Sequence, residues 1–383
     1  MGAAPLSEIA GLPAVQLPDE RSLGAWLLTR LGSTLDGMVL QAMRLVVDAM
    51  MMPQPEDLPA HRASAQPFLA GELWEEPRQF FSFVAEPVAP LRISGRYRRS
   101  VARGTIVGRE LTTAYRPYHW SDTLGSETLA ADKVAAPDKI LVEHWIHEPE
   151  RGRATIVALH GFSMGYPRID AFALFAAQCF GAGFDVALVT LPFHGPRTPP
   201  DARFSGERFA IPHVARLNEA VRQAIYEIHV VTGWLRQETG APVGLLGLSL
   251  GGYLAALMAG LRSDLDFVIP MVPPVCIGDL ASRFFSQSRY YRRGQSPAFS
   301  RQELRAMYRV HSPLTYARSV EKGRILILAG RGDQIVPPEH PHALWQHWGK
   351  PEIHWFSGSH LAPFRRGLLA AKILEHLERT AGG

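Results

Sequence analysis

The chain has 383 residues, 46% of them apolar and 20% charged, a globular balance that excludes a disordered or fibrous protein. The formal net charge is only +4. The richest basic stretch runs from Arg92 to Arg103 with Arg96, Arg98 and Arg99 between. It is interleaved with Ile93, Tyr97 and Val101 and reads as a strand with a solvated polar face, not a nucleic-acid groove.

The length suits one large domain with an appendage, or two domains. The opening MGAAPLSEIAGLPAV lacks the basic segment and apolar core of a secretory signal, so a cytoplasmic enzyme is expected. The first 20 residues are loop-like, with Pro5, Pro13 and Pro18. Leu28, Leu31, Leu35, Val39, Ala42, Val46 and Met50 then recur in steps of three and four, which predicts a helix over 22–52. Arg30, Asp36, Arg44 and Asp48 interrupt its apolar run, against a transmembrane span. The helix is expected to pack on the main domain; the alternative is an interfacial helix that touches lipid or a partner. Residues 53–90 carry Pro53, Pro55, Pro59, Pro67, Pro77, Pro87 and Pro90 and read as an irregular wrapping connector. Residues 1–90 are thus an N-terminal extension, and 91–383 the main domain.

Residues 91–118 predict two or three short strands, and 138–147 alternate again. Arg153 to His160 is a continuous apolar strand of the kind covered on both faces. Further strands are predicted near 184–191, 243–248, 267–271, 324–330 and 352–356. Helices are predicted near 169–181, 213–238, 250–262, 338–348 and 362–379. That alternation gives an α/β fold with a doubly wound, mostly parallel sheet. About 50 residues between 271 and 324 lack strand character. The segment over 276–318, with Phe284, Phe285, Tyr290, Tyr291, Arg292 and Arg293, reads as a lid overhanging the edge where such sheets bind ligands. Cys179 and Cys276 have apolar neighbours and are expected as buried free thiols.

The chemistry centres on Gly247-Leu-Ser249-Leu-Gly251, with an apolar strand before it and the helix formers Ala255, Ala256, Leu257 and Met258 after it. A serine at such a strand-to-helix turn is strained, and the small residues two positions away relieve the crowding. Its hydroxyl then stands at a helix N-terminus, where free N–H groups favour a developing anion. The base should follow the last strand, where Phe356-Ser-Gly-Ser-His360 stands. The carboxylate should follow the strand before it, which selects Asp333. Asp279 is a rival, while Asp264 and Asp266 precede their strand and fall at the wrong edge. The oxyanion hole should use the N–H of Leu250 and one from the loop Leu159-His160-Gly161-Phe162-Ser163, for which we choose Phe162. His160 itself is read as orienting that loop.

In this order of motifs the chain resembles the α/β-hydrolase superfamily over roughly residues 140–380. The resemblance implies a serine hydrolase that cleaves carboxylic esters, with Ser249 as nucleophile, Asp333 as acid and His360 as base. Pro192-Phe-His-Gly-Pro-Arg-Thr-Pro199 resembles a Pro-aromatic-x-Gly-x-Arg-x-Pro loop of one subgroup and departs from the commoner acidic Gly-His-Gly-x-Ser version. Arg197 there either binds the carbonyls of the turn or reaches an anionic substrate group. No cluster has zinc spacing, and the expected chemistry needs no metal or cofactor. The expected partner is a small-molecule ester, and the oligomeric state is left open. An acyltransferase or thioesterase on the same triad, a peptidase, and a non-catalytic binding protein are the rivals.

Overall fold

Apolar runs bounded by turn residues become nine strands of one sheet among the described residues, in the order β1-β2-β3-β5-β4-β6-β7-β8-β9. The structure is a computed structural model and describes residues 11–13, 15–17, 22–50, 58–88, 91–118, 139–150, 152–210, 214–285 and 299–381. The strands are β1 (Arg92–Val101), β2 (Gly104–Thr112), β3 (Lys139–His147), β4 (Thr155–Leu159), β5 (Asp185–Thr190), β6 (Val243–Leu248), β7 (Val268–Met271), β8 (Leu326–Gly330) and β9 (Glu352–Phe356). β1, β2 and β3 pair antiparallel, β3 pairs antiparallel with β5, and β5, β4, β6, β7, β8 and β9 run parallel. The fold is the mixed, mostly parallel α/β sheet expected from the alternation.

Every position of β4, β5, β7 and β8 is buried, because helices cover both faces of the parallel part. On one face lie α6 (Val214–Thr239) and α7 (Leu250–Leu261), packed with Val157, Leu245 and Ile327. On the other lie α5 (Ala176–Gly181) and the helix Arg366–Ala381, packed with Ile156, Leu246 and Leu328. The expected helix over 169–181 is two helices, α4 (Pro167–Ala173) and α5. Phe175 breaks it in a left-handed conformation, φ 56°.

β1 departs from the expected strand with one solvated face: it is exposed along nearly its whole length. It is the last strand at one end of the sheet, and its arginines blunt an edge that would otherwise pair with another chain. The 53–90 connector is also more regular than its prolines suggest. It contains α2 (Leu58–Leu69), α3 (Glu72–Glu75) and a 3-10 helix, Pro77–Ala85. Pro59 and Pro77 stand in first turns, where a missing N–H costs nothing. Phe68, Phe80 and Phe81 from this stretch are buried in the same core as β4 and β6. Pro53, Pro55 and Pro90 lie outside the described residues.

α1 (Leu23–Met50) forms where the apolar period predicts a helix. Yet Leu31, Leu35, Val39 and Ala42, which make up that period, are exposed. The face turned inward carries Gly32, Asp36 and Leu40, all buried. The reason lies in what α1 rests on: polar backbone of two loops, not an apolar surface. Val46 and Met50 have no described side-chain environment.

In the 276–318 segment, α8 (Ile277–Phe285) and α9 (Arg301–Met307) are helical, and Leu304, Met307, Tyr308 and Val310 enter the main core. Tyr290, Tyr291, Arg292 and Arg293 lie outside the described residues. Cys179 is a buried free thiol, but Cys276 is only half-buried, because it lies on the wall of a cavity of about 460 Å³ with Leu12, Tyr308 and His347. Among the described residues no helix is long and apolar enough to cross a membrane.

Candidate active site

The chain passes from β4 to β5 on one side and then crosses to β6 on the other, so the loops after β4 and β6 diverge at a switch point of the sheet. Ser249 follows β6 directly and caps α7 with φ 53° and ψ −111°. This backbone conformation is costly for a residue with a Cβ, by about 1–3 kcal/mol, and its surroundings hold it. The Ser249 N–H donates to Met271 O at 2.8 Å, and the Tyr253 N–H donates to Ser249 O at 2.8 Å. The neighbouring glycines are required by close approach. A Cβ on Gly251 would lie 2.0 Å from Leu159 O, and one on Gly247 would lie 2.1 Å from Gly251 O.

His360 and Asp333 reach the serine from the loops after β9 and β8. His360 Nε2 is 2.8 Å from Ser249 Oγ, and its Nδ1 is 2.7 Å from Asp333 Oδ2. Asp333 is 2% exposed, and its Oδ1 accepts from the N–H groups of Ile335 at 2.9 Å and Val336 at 2.7 Å. Burial alone would lower the His360 pKa, but the charge and hydrogen bond of Asp333, with the charge of Asp36, reverse this, and the net shift is upward. Burial likewise presses the Asp333 carboxyl upward, while the imidazole and the Val336 N–H pull it back. In this arrangement the imidazole can accept a proton from Ser249 with its Nδ1–H fixed on a carboxylate.

The loop after β4 is tied to the elbow by the Gly251 N–H, which donates to His160 O at 3.0 Å. A Cβ built on Gly161 would lie 3.6 Å from Ser249 Cβ. Neither the N–H of Leu250, which directly follows the serine, nor that of Phe162, which directly follows Gly161, donates a hydrogen bond to a described residue. His160 Nε2 accepts from the Leu191 N–H at 3.0 Å, which leaves the proton on Nδ1, 2.8 Å from Gly161 O. Burial pushes the His160 pKa down to about 3. The ring is neutral and holds the two loops together.

Arg197 is buried, and its guanidinium is engaged within the protein. It donates to Glu227 through both terminal nitrogens, at 2.5 and 2.7 Å, and to Thr190 O at 3.0 Å. Asp279 is bound by Arg301 and Arg305, at 2.7 and 2.6 Å, and makes no described contact with His360. Asp266 accepts from the Val243 N–H at 2.9 Å at the start of β6, the opposite edge of the sheet. Among the described residues no group of three or more His, Cys, Asp or Glu is placed to hold a metal ion.

Sequence reasoning missed Asp36. Its carboxylate is fully buried beneath α1 and contacts both the Asp333 and the His360 loops. It reads in the sequence only as a charge that interrupts an apolar helix, and no linear pattern links position 36 to positions 333 and 360.

Two solved structures share this architecture. Acetyl xylan esterase 1 from Thermoanaerobacterium sp. JW/SL YS485 has a TM-score of 0.56 at 16% identity, covering 79% of this chain and 94% of that one. An acetyl xylan esterase from Paenibacillus sp. R4 has a TM-score of 0.55 at 16% identity, covering 85% and 99%. The protein has the α/β-hydrolase fold. Residues 215–371 match the family model described as serine hydrolase (FSH1), a stretch that holds Ser249, Asp333 and His360 but not Phe162 or Asp36. Two Mycobacterium tuberculosis proteins, uncharacterized protein MT2702 of strain CDC 1551 and uncharacterized protein Rv2627c of strain H37Rv, are 34% identical to it over 231 residues. The match covers 57% of this chain and 54% of each relative. The chain thus spans about half the length of the curated relatives it matches.

Proposed function

We propose that this protein is a serine hydrolase that cleaves small carboxylic esters through an acyl-enzyme on Ser249. The observation that carries this reading is the chain of contacts from Ser249 Oγ to His360 Nε2, 2.8 Å, and from His360 Nδ1 to the buried Asp333, 2.7 Å. His360 takes the hydroxyl proton as Ser249 Oγ attacks the ester carbonyl. Asp333 holds the Nδ1–H tautomer and stabilises the imidazolium. The tetrahedral oxyanion accepts from the N–H groups of Leu250 and Phe162, which have no other described acceptor. The intermediate collapses as His360 returns the proton to the leaving alcohol. A water then gives a proton to His360 as its oxygen attacks the acyl carbon, and the acid leaves as His360 returns that proton to Ser249 Oγ.

In this reading residues 1–90 are a helical and irregular extension, and residues 91–383 are the catalytic domain with a lid insertion at about 276–318. The exposed apolar face of α1 supports weak contact with lipid or an aggregated ester. Ser249→Ala is expected to lower turnover of a short p-nitrophenyl ester by about a thousandfold or more. An organophosphonate should label the native protein at Ser249. Substantial activity in the alanine variant, or a label on another residue, would remove the assignment.

A further inference from the structure

We propose that Asp36, on the N-terminal helix and outside the Ser-His-Asp set, is a positioning residue that fixes the acid loop and the base loop against each other. The proposal rests on the serine-hydrolase reading above and extends its machinery to a part of the chain that the family match does not include.

Four donors converge on this one carboxylate. Oδ2 accepts from the N–H of Gln334 at 3.0 Å and of His360 at 2.9 Å. Oδ1 accepts from Ser359 Oγ at 2.8 Å and from the Leu361 N–H at 3.1 Å. Gln334 directly follows Asp333, and His360 is the base itself. The two loops leave different strands, so nothing in their local sequence sets their separation. Asp36 meets the acid loop beside Asp333 and the base loop on both sides of His360.

The chemistry of the site selects a carboxylate. All four neighbours donate, and a carboxylate is the side chain that accepts at every position. An apolar residue at 36 would leave buried N–H groups without partners, at the full cost of their desolvation. An amide would turn an NH₂ toward two donors. The helix is shaped for this approach. A Cβ on Gly32 would meet Ser359 Oγ at 2.9 Å and its Cβ and N at 3.0 Å, and one on Gly332 would lie 2.6 Å from Thr29 O. The Gly358 N–H also donates to Thr29 Oγ1, at 3.3 Å.

Asp36 acts through charge as well. Among the described residues, the charged groups that face His360 are Asp333, from the loop after β8, and Asp36, from α1. Both favour the imidazolium against burial. Asp36 touches neither the Ser249 hydroxyl nor the site of the ester carbonyl, so its effect passes entirely through His360 and Asp333.

The test uses the full chain and three variants, Asp36→Asn, Gly32→Ala and Ser249→Ala. Steady-state kinetics on a short p-nitrophenyl ester are measured across pH, with phosphonate labelling rates, circular dichroism and melting temperature. Asp36→Asn should lower kcat about ten- to a hundredfold with KM within about twofold. Labelling should slow in proportion, and the acid limb of kcat/KM should move to lower pH. A folded Asp36→Asn protein with native kcat and an unmoved acid limb overturns the proposal. Should Asp36→Asn fail to fold, Gly32→Ala decides, because it keeps the carboxylate but pushes the helix off Ser359. Its kcat should fall by about threefold or more, and a folded Gly32→Ala protein with native kcat overturns the proposal. Ser249→Ala separates the two readings. If it stays active, the hydrolase reading fails and this proposal with it. If it is inactive while the Asp36 and Gly32 variants behave as native, only the positioning role fails.

Discussion

The carboxylate of Asp333 is held by three partners, the His360 ring and the N–H groups of Ile335 and Val336. That bonding fixes its plane, and the plane fixes the ring. Asp333→Asn would present an N–H₂ where donors already point, so the imidazole would lose its tautomer or its orientation. We expect kcat to drop about 10³- to 10⁴-fold with little change in KM. The His360 pKa lies above the ordinary histidine value of 6.5. A general base must be neutral in the free enzyme, so kcat/KM should fall as pH drops through this raised value. The acid limb is therefore expected above pH 6.5, and a pH profile of kcat/KM reads it directly. A limb at or below that value would mean that burial outweighs the two carboxylates. Ser249 adds a second lesson at this scale. Its strained backbone is a consequence of Gly247 and Gly251, whose missing side chains let the helix press against β4.

At the scale of the element, α1 has two dissimilar faces. Its inner face is small and charged, and it clamps the loops of the site. Its outer face leaves Leu27, Leu31 and Met38 exposed at 52%, 53% and 57%. Leu361, next to the base, is 52% exposed as well. Apolar area of this kind gains about 25 cal/mol per Å² when removed from water, so an aggregated ester or lipid surface could dock beside the site. Leu27→Ser with Leu31→Ser should leave turnover of a dissolved short ester unchanged. The same pair should reduce any gain in rate that native protein shows when a longer ester passes into micelles. An undiminished gain would show that α1 does not meet the surface. The 53–90 stretch gives the contrary case. Phe80 and Phe81 are buried in the main core, and truncation of such rings costs about 3–5 kcal/mol each, so this part of the extension is structural.

At the scale of the whole molecule, buried neutral histidines set the response to acid. Burial pushes His160, His311 and His340 down to about 3 and His194 to about 4. In the unfolded chain these rings titrate near 6.5. The unfolded state therefore binds more protons between those values, and the stability they contribute is full above about pH 6.5 and is lost as pH falls toward 4. Asp170, raised to about 7 by burial, and Asp333 and His360, both raised as well, work the other way, but they stand against the four histidines above and His229, which burial also pushes down to about 4. The melting temperature should decline steadily from pH 6.5 to pH 4, and a flat profile by calorimetry would contradict this account. The sequence by itself determined the sheet, because continuous apolar runs such as 155–159 have one stable use, between two helical layers. It also determined Ser249, Asp333 and His360 as candidates, since each falls in the loop after a recognisable strand. Their contact, the unspent N–H groups of Phe162 and Leu250, and the burial of Arg197 against Glu227 needed the fold. Asp36 needed it most. Its function depends on four donors that lie about 300 residues away in the chain, and long-range convergence of backbone groups leaves no periodicity for a sequence to display.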